Sequence, residues 1–272
     1  MEKCNEKSIK MKNNSHLFQR SIRYIIPYVI VLSFTACSVF GQQLPKMNMD
    51  SSTVKQVEMK DMQNEMMVPM AFFTHMGIPL PVGTYGLRTA ALQTQQEGKS
   101  TTEFNFQFET GLSNTIGLFL GGEGLFDDPT LEIMLQYLIF RSKNGMSGLS
   151  PIIELEFPLG TEAVRSINPL VGFATTLSNT KLAFNQVLHY SPLENLAEGS
   201  ASIVVQASEQ IFFISEISGV TEKDTHPVFN LLGGIKVKLN KNILLGFAYQ
   251  LPLTSNKHYS SQYVVQPNIM FQ

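Results

Sequence analysis

The chain has little charge and almost no cysteine. Charged residues make up 15% of its 272 residues, well below the roughly 25% of a soluble globular protein. The net charge of -2 comes without any basic stripe, so the sequence does not predict a nucleic-acid partner. Its two cysteines are Cys4 and Cys37, and the sequence after them therefore offers neither a disulfide nor a cysteine metal site.

Sequence signatures of catalysis are also lacking. We find no serine nucleophile elbow, no phosphate-binding loop and no dinucleotide fingerprint. His189, His226 and His258 are not at the spacing of metal ligands. We therefore predict that the chain is not an enzyme and that it needs no cofactor, with copper as the exception considered below.

The first 41 residues have the layout of a secretory signal. A basic region precedes an apolar run of 17 residues from Tyr24 to Phe40, and we predict cleavage after Gly41. Two alternatives remain. The run is at the short end for a membrane-spanning helix, which would make it an uncleaved anchor. Cys37 also ends a loose lipobox (residues 34–37), which would make it a site of acylation.

Residues 42–83 form a methionine-rich segment, which we interpret as a periplasmic linker or a plug. Eight of the 13 methionines fall between Met47 and Met76. Thioether sulfur is a soft ligand that suits Cu(I). The predicted copper ligands are Met62, Met66, Met67, Met70, His75 and Met76. The alternative is an apolar stripe that packs on the barrel, because four methionines from Met59 to Met70 follow helical spacing.

From Thr84 to Gln272, apolar and polar residues alternate in runs that turn residues separate. Such runs are typical of membrane strands of about 9–11 residues. We predict an all-β, antiparallel transmembrane β-barrel over 84–272, in which the last strand pairs with the first. The twelve predicted strands are 84–94, 101–111, 114–122, 130–141, 149–158, 166–176, 180–190, 199–207, 210–218, 227–238, 242–251 and 261–272.

The connections between these strands alternate in length. Short turns such as GLSN, LSNT, ASEQ and LNKN alternate with longer, more charged loops. This order is typical of a barrel with both chain ends in the periplasm. A soluble β-sandwich has strands at similar spacing, but it does not so readily give this alternation together with an export signal.

One face of each predicted strand carries the polar residues. Phe104, Phe106 and Phe108 share a face, and acidic and amide side chains occupy the other. Because a shift by one residue would place carboxylates in lipid, the polar face is predicted to face the lumen. Lys236 and Lys238 are predicted to lie across from some of the carboxylates. The predicted lumen-lining residues are Glu103, Asn105, Gln107, Glu109, Glu132, Gln136, Glu154, Glu156, Lys236 and Lys238.

Several strand and turn patterns are similar to those of a known family. They are TGLSNTIGLFL, PTLEIMLQYLIF, PIIELEFPLG, GFATTLSNTKLAFN and GIKVKLNKNILLGFAYQLPL. From about Gly83 onward the chain resembles the outer-membrane barrel family of meta-pathway phenol-degradation proteins and transporters. This resemblance implies a barrel of roughly twelve strands and the passage of small, often apolar compounds. It also implies that Phe271, followed here by Gln272, is the aromatic barrel-assembly signal.

Together these features predict an exported protein of a Gram-negative outer membrane. Its predicted partners are the lipid bilayer, the outer-membrane assembly machinery and a small-molecule solute. Our first hypothesis for its function is a channel or transporter for small solutes, apolar ones included. The alternatives are a copper-handling outer-membrane protein and a non-conducting structural barrel.

Overall fold

The computed structural model describes residues 68–96, 98–125, 129–159, 167–222, 225–254 and 259–271. The predicted signal segment, most of the methionine-rich segment and Gln272 lie outside them. Within the described part of the chain, no helix is long and apolar enough to cross a membrane.

The described residues form one antiparallel sheet that closes on itself. Strands that follow each other in sequence pair, except that β4 and β5 both pair with β6, and β1 pairs with β13. The strands are β1 (Tyr85–Gln96), β2 (Lys99–Gly111), β3 (Ile116–Glu123), β4 (Thr130–Tyr137), β5 (Phe140–Arg141), β6 (Gly148–Pro158), β7 (Asn168–Ser178), β8 (Leu182–Ser191), β9 (Leu196–Gln206), β10 (Ile211–Glu222), β11 (Val228–Lys238), β12 (Ile243–Pro252) and β13 (Ser261–Phe271). The short β5 continues β4, so the wall has twelve strand positions.

The predicted strand over 130–141 is interrupted before its end. Gln136 pairs with Ile152 and Phe140 pairs with Leu149, so that residues 137–139 face only residues 150–151 of β6. Three residues thus lie opposite two, and the one extra residue makes a β-bulge. It lies opposite Pro151, which has no N–H to donate to a ladder.

Closure of the sheet confirms the predicted pairing of the last strand with the first. Tyr85 pairs with Phe271, and the register continues to Gln95 and Ser261 at the other end. The rings of Tyr85 and Phe271 stack with their centroids 5.7 Å apart. This seam satisfies the backbone groups that an open edge would leave without partners.

The short turns at one end of the barrel share one type of side-chain to backbone hydrogen bond. In each case an oxygen near the start of the turn accepts N–H groups two or three residues later. Asn179 Oδ1 accepts from the amides of Lys181 and Leu182 at 2.9 Å. Ser113 and Ser208 do the same in their own turns, and Asn240 accepts from the amide of Asn242. Serine and asparagine favour turns through these bonds, which explains the recurring pattern in the sequence.

The two faces of the wall differ in the way that the alternation predicts. Large apolar side chains such as Leu135, Ile217 and Phe247 are exposed on the outer face, whereas polar side chains such as Arg88, Gln136 and Glu216 are buried inside. An apolar exterior around a polar interior is typical of a barrel in lipid.

We expect the effect of an outward-facing arginine to depend on its depth in the wall. Ile217 lies midway along β10 and Ile211 begins the same strand, and both point outward, with 44% and 40% exposure. Ile217→Arg should lower the free energy of unfolding by about 2–4 kcal/mol, and the matched Ile211→Arg by about 0–1 kcal/mol. Denaturant titration of protein folded into lipid vesicles measures both. Equal effects would contradict the assignment of the outer face to lipid.

Candidate functional site in the barrel lumen

Residues 68–80 lie inside the barrel and cross it, and residues 81–83 lead from them into β1. We call residues 68–83 the plug. Lys236 of β11 donates to the carbonyl oxygens of Met70 and Ala71. Gln136 of β4 donates to the carbonyl oxygen of Met76 at 2.8 Å. Because β4 and β11 are six strand positions apart by either route round the ring, these contacts lie on opposite walls.

Two buried charged side chains hold the first part of the plug. Glu216 Oε2 accepts from the backbone N–H groups of Phe72 and Phe73, both at 3.1 Å, and its Oε1 accepts from Thr74 Oγ1 at 2.7 Å. Lys236 Nζ lies 2.9 Å from each of its two carbonyl acceptors. Glu216 thus accepts hydrogen bonds from N–H and O–H groups of the plug, and Lys236 donates hydrogen bonds to its carbonyl groups. Charge-assisted hydrogen bonds of this kind are stronger than neutral ones.

The environment of Lys236 is built from plug and wall together. Its ammonium group lies 4.9 Å from the ring centroid of Phe72, within range of a cation–π interaction. The side-chain amide of Asn268, with oxygen and nitrogen assigned from their neighbours, accepts from Nζ at 2.9 Å. Lys236 is fully buried, so these partners replace the water that its charge would otherwise require.

Phe72 anchors the plug by packing against the wall. It belongs to an apolar cluster with Ala71 that includes Phe212, Ile214 and Leu232 of the wall. The wall makes room for its ring with Gly234 and Gly246, where an added Cβ would come within 2.7 and 2.8 Å of ring carbons. Gln266 Nε2 donates to the Phe72 carbonyl oxygen at 2.8 Å.

The plug meets the opposite wall at Gly77. Its N–H donates to Thr176 Oγ1 and its carbonyl oxygen accepts from Ser150 Oγ, both at 2.8 Å. A Cβ at this position would lie 2.6 Å from the Cα atom of Thr175. The close approach of the two backbones therefore requires glycine here.

The plug contacts lie in the half of the barrel nearer to the short turns. Gln136, Ser150 and Thr176 are each within three residues of a strand end at those turns, as is Lys236. A cavity of ≈ 100 Å3 lies beside the plug, lined by Phe72, Phe73, His75, Arg88, Thr89, Ala90, Asn105, Phe106, Gln107, Glu123, Glu132 and Gln266.

Residues proposed from the sequence as lumen-lining have different surroundings in the structure. Gln136 and Lys236 bond to the plug, and Lys236 faces plug carbonyl groups, where the sequence predicted carboxylates. Gln107 accepts a hydrogen bond from Arg88 and lies 3.2 Å from Nδ1 of His75. Glu109 and Glu154 are buried, whereas the others are half-buried: Glu103, Asn105, Glu132, Glu156 and Lys238.

The predicted copper ligands are only partly described. Met62, Met66 and Met67 lie outside the described residues. Met70 and Met76 are buried, with their backbones held at opposite walls, and His75 lies edge-on to Phe119 at 5.3 Å between ring centroids. The copper site therefore stays a prediction.

Sequence reasoning missed Glu216, which makes three hydrogen bonds to the plug. The sequence of its strand, β10, did indicate a packing partner inside the barrel. The inner face of β10 presents Phe212 and Ile214 just before Glu216, so this strand is apolar on both faces at the end where it begins. A barrel strand with an apolar inner face indicates that something packs inside.

Loss of the Lys236 ammonium should release the plug. Hydrogen bonds to charged groups are worth about 1.5–3 kcal/mol each, so in Lys236→Met we expect at least about tenfold faster labelling of a plug cysteine. The reporter is Met70→Cys, whose native side chain is buried, labelled by a membrane-impermeant maleimide. Lys238→Met, two residues along the same strand, is the control and should leave the rate unchanged. A rate that does not change in Lys236→Met would contradict the role of Lys236.

No protein-family model and no curated protein matches the chain, but solved structures do. The fold is similar to that of the KdgM porin at 12% identity, over 69% of this chain and 99% of the porin, with a TM-score of 0.55. It is also similar to the COG4313 outer membrane channel of Pseudomonas putida F1 at 11% identity, over 71% and 97%, with a TM-score of 0.52. The NanC porin, at 7% identity over 69% and 99%, has a TM-score of 0.51. At these identities the likeness is one of fold.

Proposed function

We propose that the chain is a non-enzymatic outer-membrane channel for small solutes whose lumen the plug closes at rest. The observation that carries the proposal is the plug itself, which crosses a closed, polar-lined barrel and is held by individual side chains. The fold is similar to that of proteins named as a porin and as an outer membrane channel, which supports the proposal.

The way in which the plug is held allows it to leave. Six wall side chains bond to its backbone: Lys236, Glu216, Gln266, Gln136, Ser150 and Thr176. These bonds exchange for bonds to water when the plug moves out, so their net contribution is far smaller than their gross strength. A displaced plug would leave a lumen lined by the same polar groups, which suits the passage of a small hydrated solute.

The orientation of the proposed channel follows from its chain ends. The plug continues into Tyr85, which pairs with Phe271 at the end of the barrel that carries the short turns. We place this end in the periplasm and the longer loops outside the cell. In this arrangement residues 1–41 are the cleaved export signal, and Phe271 is the residue that the assembly machinery recognises.

A second candidate, the non-conducting structural barrel, is favoured by the same plug. If the plug never leaves, the lumen stays closed and the barrel acts through its surface alone. The two candidates differ in one property, which is whether weakening the plug contacts produces conductance. Copper handling is a separate hypothesis, and the contacts of the described residues do not bear on it.

Weakening the plug contacts should increase the conductance of the barrel in planar lipid bilayers. We expect the wild-type protein to show rare openings and the Glu216→Gln, Lys236→Met double variant to show frequent ones. The reason is that the variant weakens the contacts of residues 70–74 with β10 and β11.

The Lys241→Met variant, which changes an exposed lysine in the turn after β11, serves as the matched control and should behave as the wild type does. Heat-dependent mobility on gels verifies that each barrel is folded. A folded double variant that stays as silent as the wild type would favour the structural barrel over the channel.

A further inference from the structure

Three carboxylates meet inside the barrel at the end away from the short turns. Glu132 of β4 and Glu156 of β6 are directly opposite each other in the ladder, and Glu154 precedes Glu156 on the same inward face. One carboxylate oxygen from each of the three lies within 4.8 Å of the other two. We call them the glutamate trio.

Such an arrangement is costly without a positive partner. Like charges directly opposite in a sheet destabilise it, and burial removes the water that would screen them. Two side chains of the described residues place polar atoms against the trio: His189 lies 3.0 Å from Glu154, and Asn168 donates to Glu156 Oε2 at 2.8 Å. Asn168 is neutral, and His189, when protonated, supplies a single positive charge that the trio shares with Glu198.

Buried polar atoms beside the trio have unused bonding capacity. Glu154 is 8% exposed, and its Oε2 makes no hydrogen bond to the described residues. His189, 7% exposed, places Nδ1 at ion-pair distance from this oxygen, 3.0 Å, and 3.5 Å from Glu198 Oε1, although neither contact has the angles of a hydrogen bond. Its Nε2 is also buried without a partner among the described residues. Because buried polar atoms are nearly always bonded, this combination points to a ligand.

We propose that the glutamate trio binds one divalent cation of the oxygen-preferring class, such as Ca2+ or Mn2+. Such ions bind carboxylate oxygens at about 2.3–2.6 Å, so two ligand atoms of one ion are separated by at most about 5 Å. The oxygens of the trio fall within this limit. Carboxylate ligands suit Ca2+ and Mn2+ alike. The ion would offset two of the trio's three negative charges and fasten β4 to β6 at the end of the barrel away from the short turns.

The site does not depend on the proposed channel function. Its groups lie on wall strands, away from Lys236 and Glu216, which hold the plug. A barrel that never conducts can still bind the ion, and a conducting barrel can lack it. Binding and conductance therefore test separate claims.

Titration with Mn2+ tests the proposal directly. The full-length, folded protein in detergent is titrated with Mn2+, and the loss of the free-ion electron paramagnetic resonance signal reports binding. We expect one equivalent to bind and Ca2+ to displace it. Glu154→Gln and Glu132→Gln should each weaken binding by at least about tenfold.

The matched control is Glu222→Gln, which changes an exposed carboxylate at the end of β10 and should leave the affinity unchanged. Heat-dependent gel mobility verifies folding, and the two trio variants guard against the failure of one to fold. Absence of binding by the folded wild-type protein at millimolar Mn2+ would overturn the proposal. It would also be overturned if both folded trio variants bound as tightly as the control, because binding would then arise from surface carboxylates.

Discussion

The structure depends on one constraint, which is that backbone N–H and C=O groups away from water need partners. In the wall, the ladders supply these partners, and the pairing of Tyr85 with Phe271 completes them. The plug has no such ladder for most of its length, with one isolated bridge from Val82 to Gly111. Side chains of the wall supply partners to its backbone instead, and so the inner face of the barrel is polar for a structural reason.

Because of this constraint, a polar residue in the lumen can serve to bond the plug. A polar lining suggests a path for solutes, but Gln136 and Lys236 bond to plug carbonyl groups, and Glu216 bonds to plug amides. The same groups would contact water and solute only after the plug had moved. In the proposed channel, closure and passage would therefore use one set of side chains, whereas the glutamate trio lies farther along the lumen, outside that set.

The strands of the wall could be predicted from the sequence because they depend on residues close together in the chain. Alternation gives each strand and its faces, and a serine or asparagine three residues before Ile or Leu marks the short turns, as Asn179 does before Leu182. The plug could not be predicted in this way. Glu216 meets Phe72 across 144 positions of the chain, and Lys236 binds backbone carbonyl groups, which every residue carries. The glutamate trio was visible only as three lumen-facing acids, since the sequence does not show that Glu132 faces Glu156.

Amide hydrogen exchange measures whether the plug backbone is bonded inside the barrel. We expect the amides of Phe72, Phe73 and Gly77 in the folded protein to exchange slowly, because they donate to wall side chains. The amide of Lys241, in the exposed turn after β11, should exchange quickly in the same sample. Exchange of the three plug amides as fast as that of Lys241 would mean that the plug backbone is not bonded to the wall.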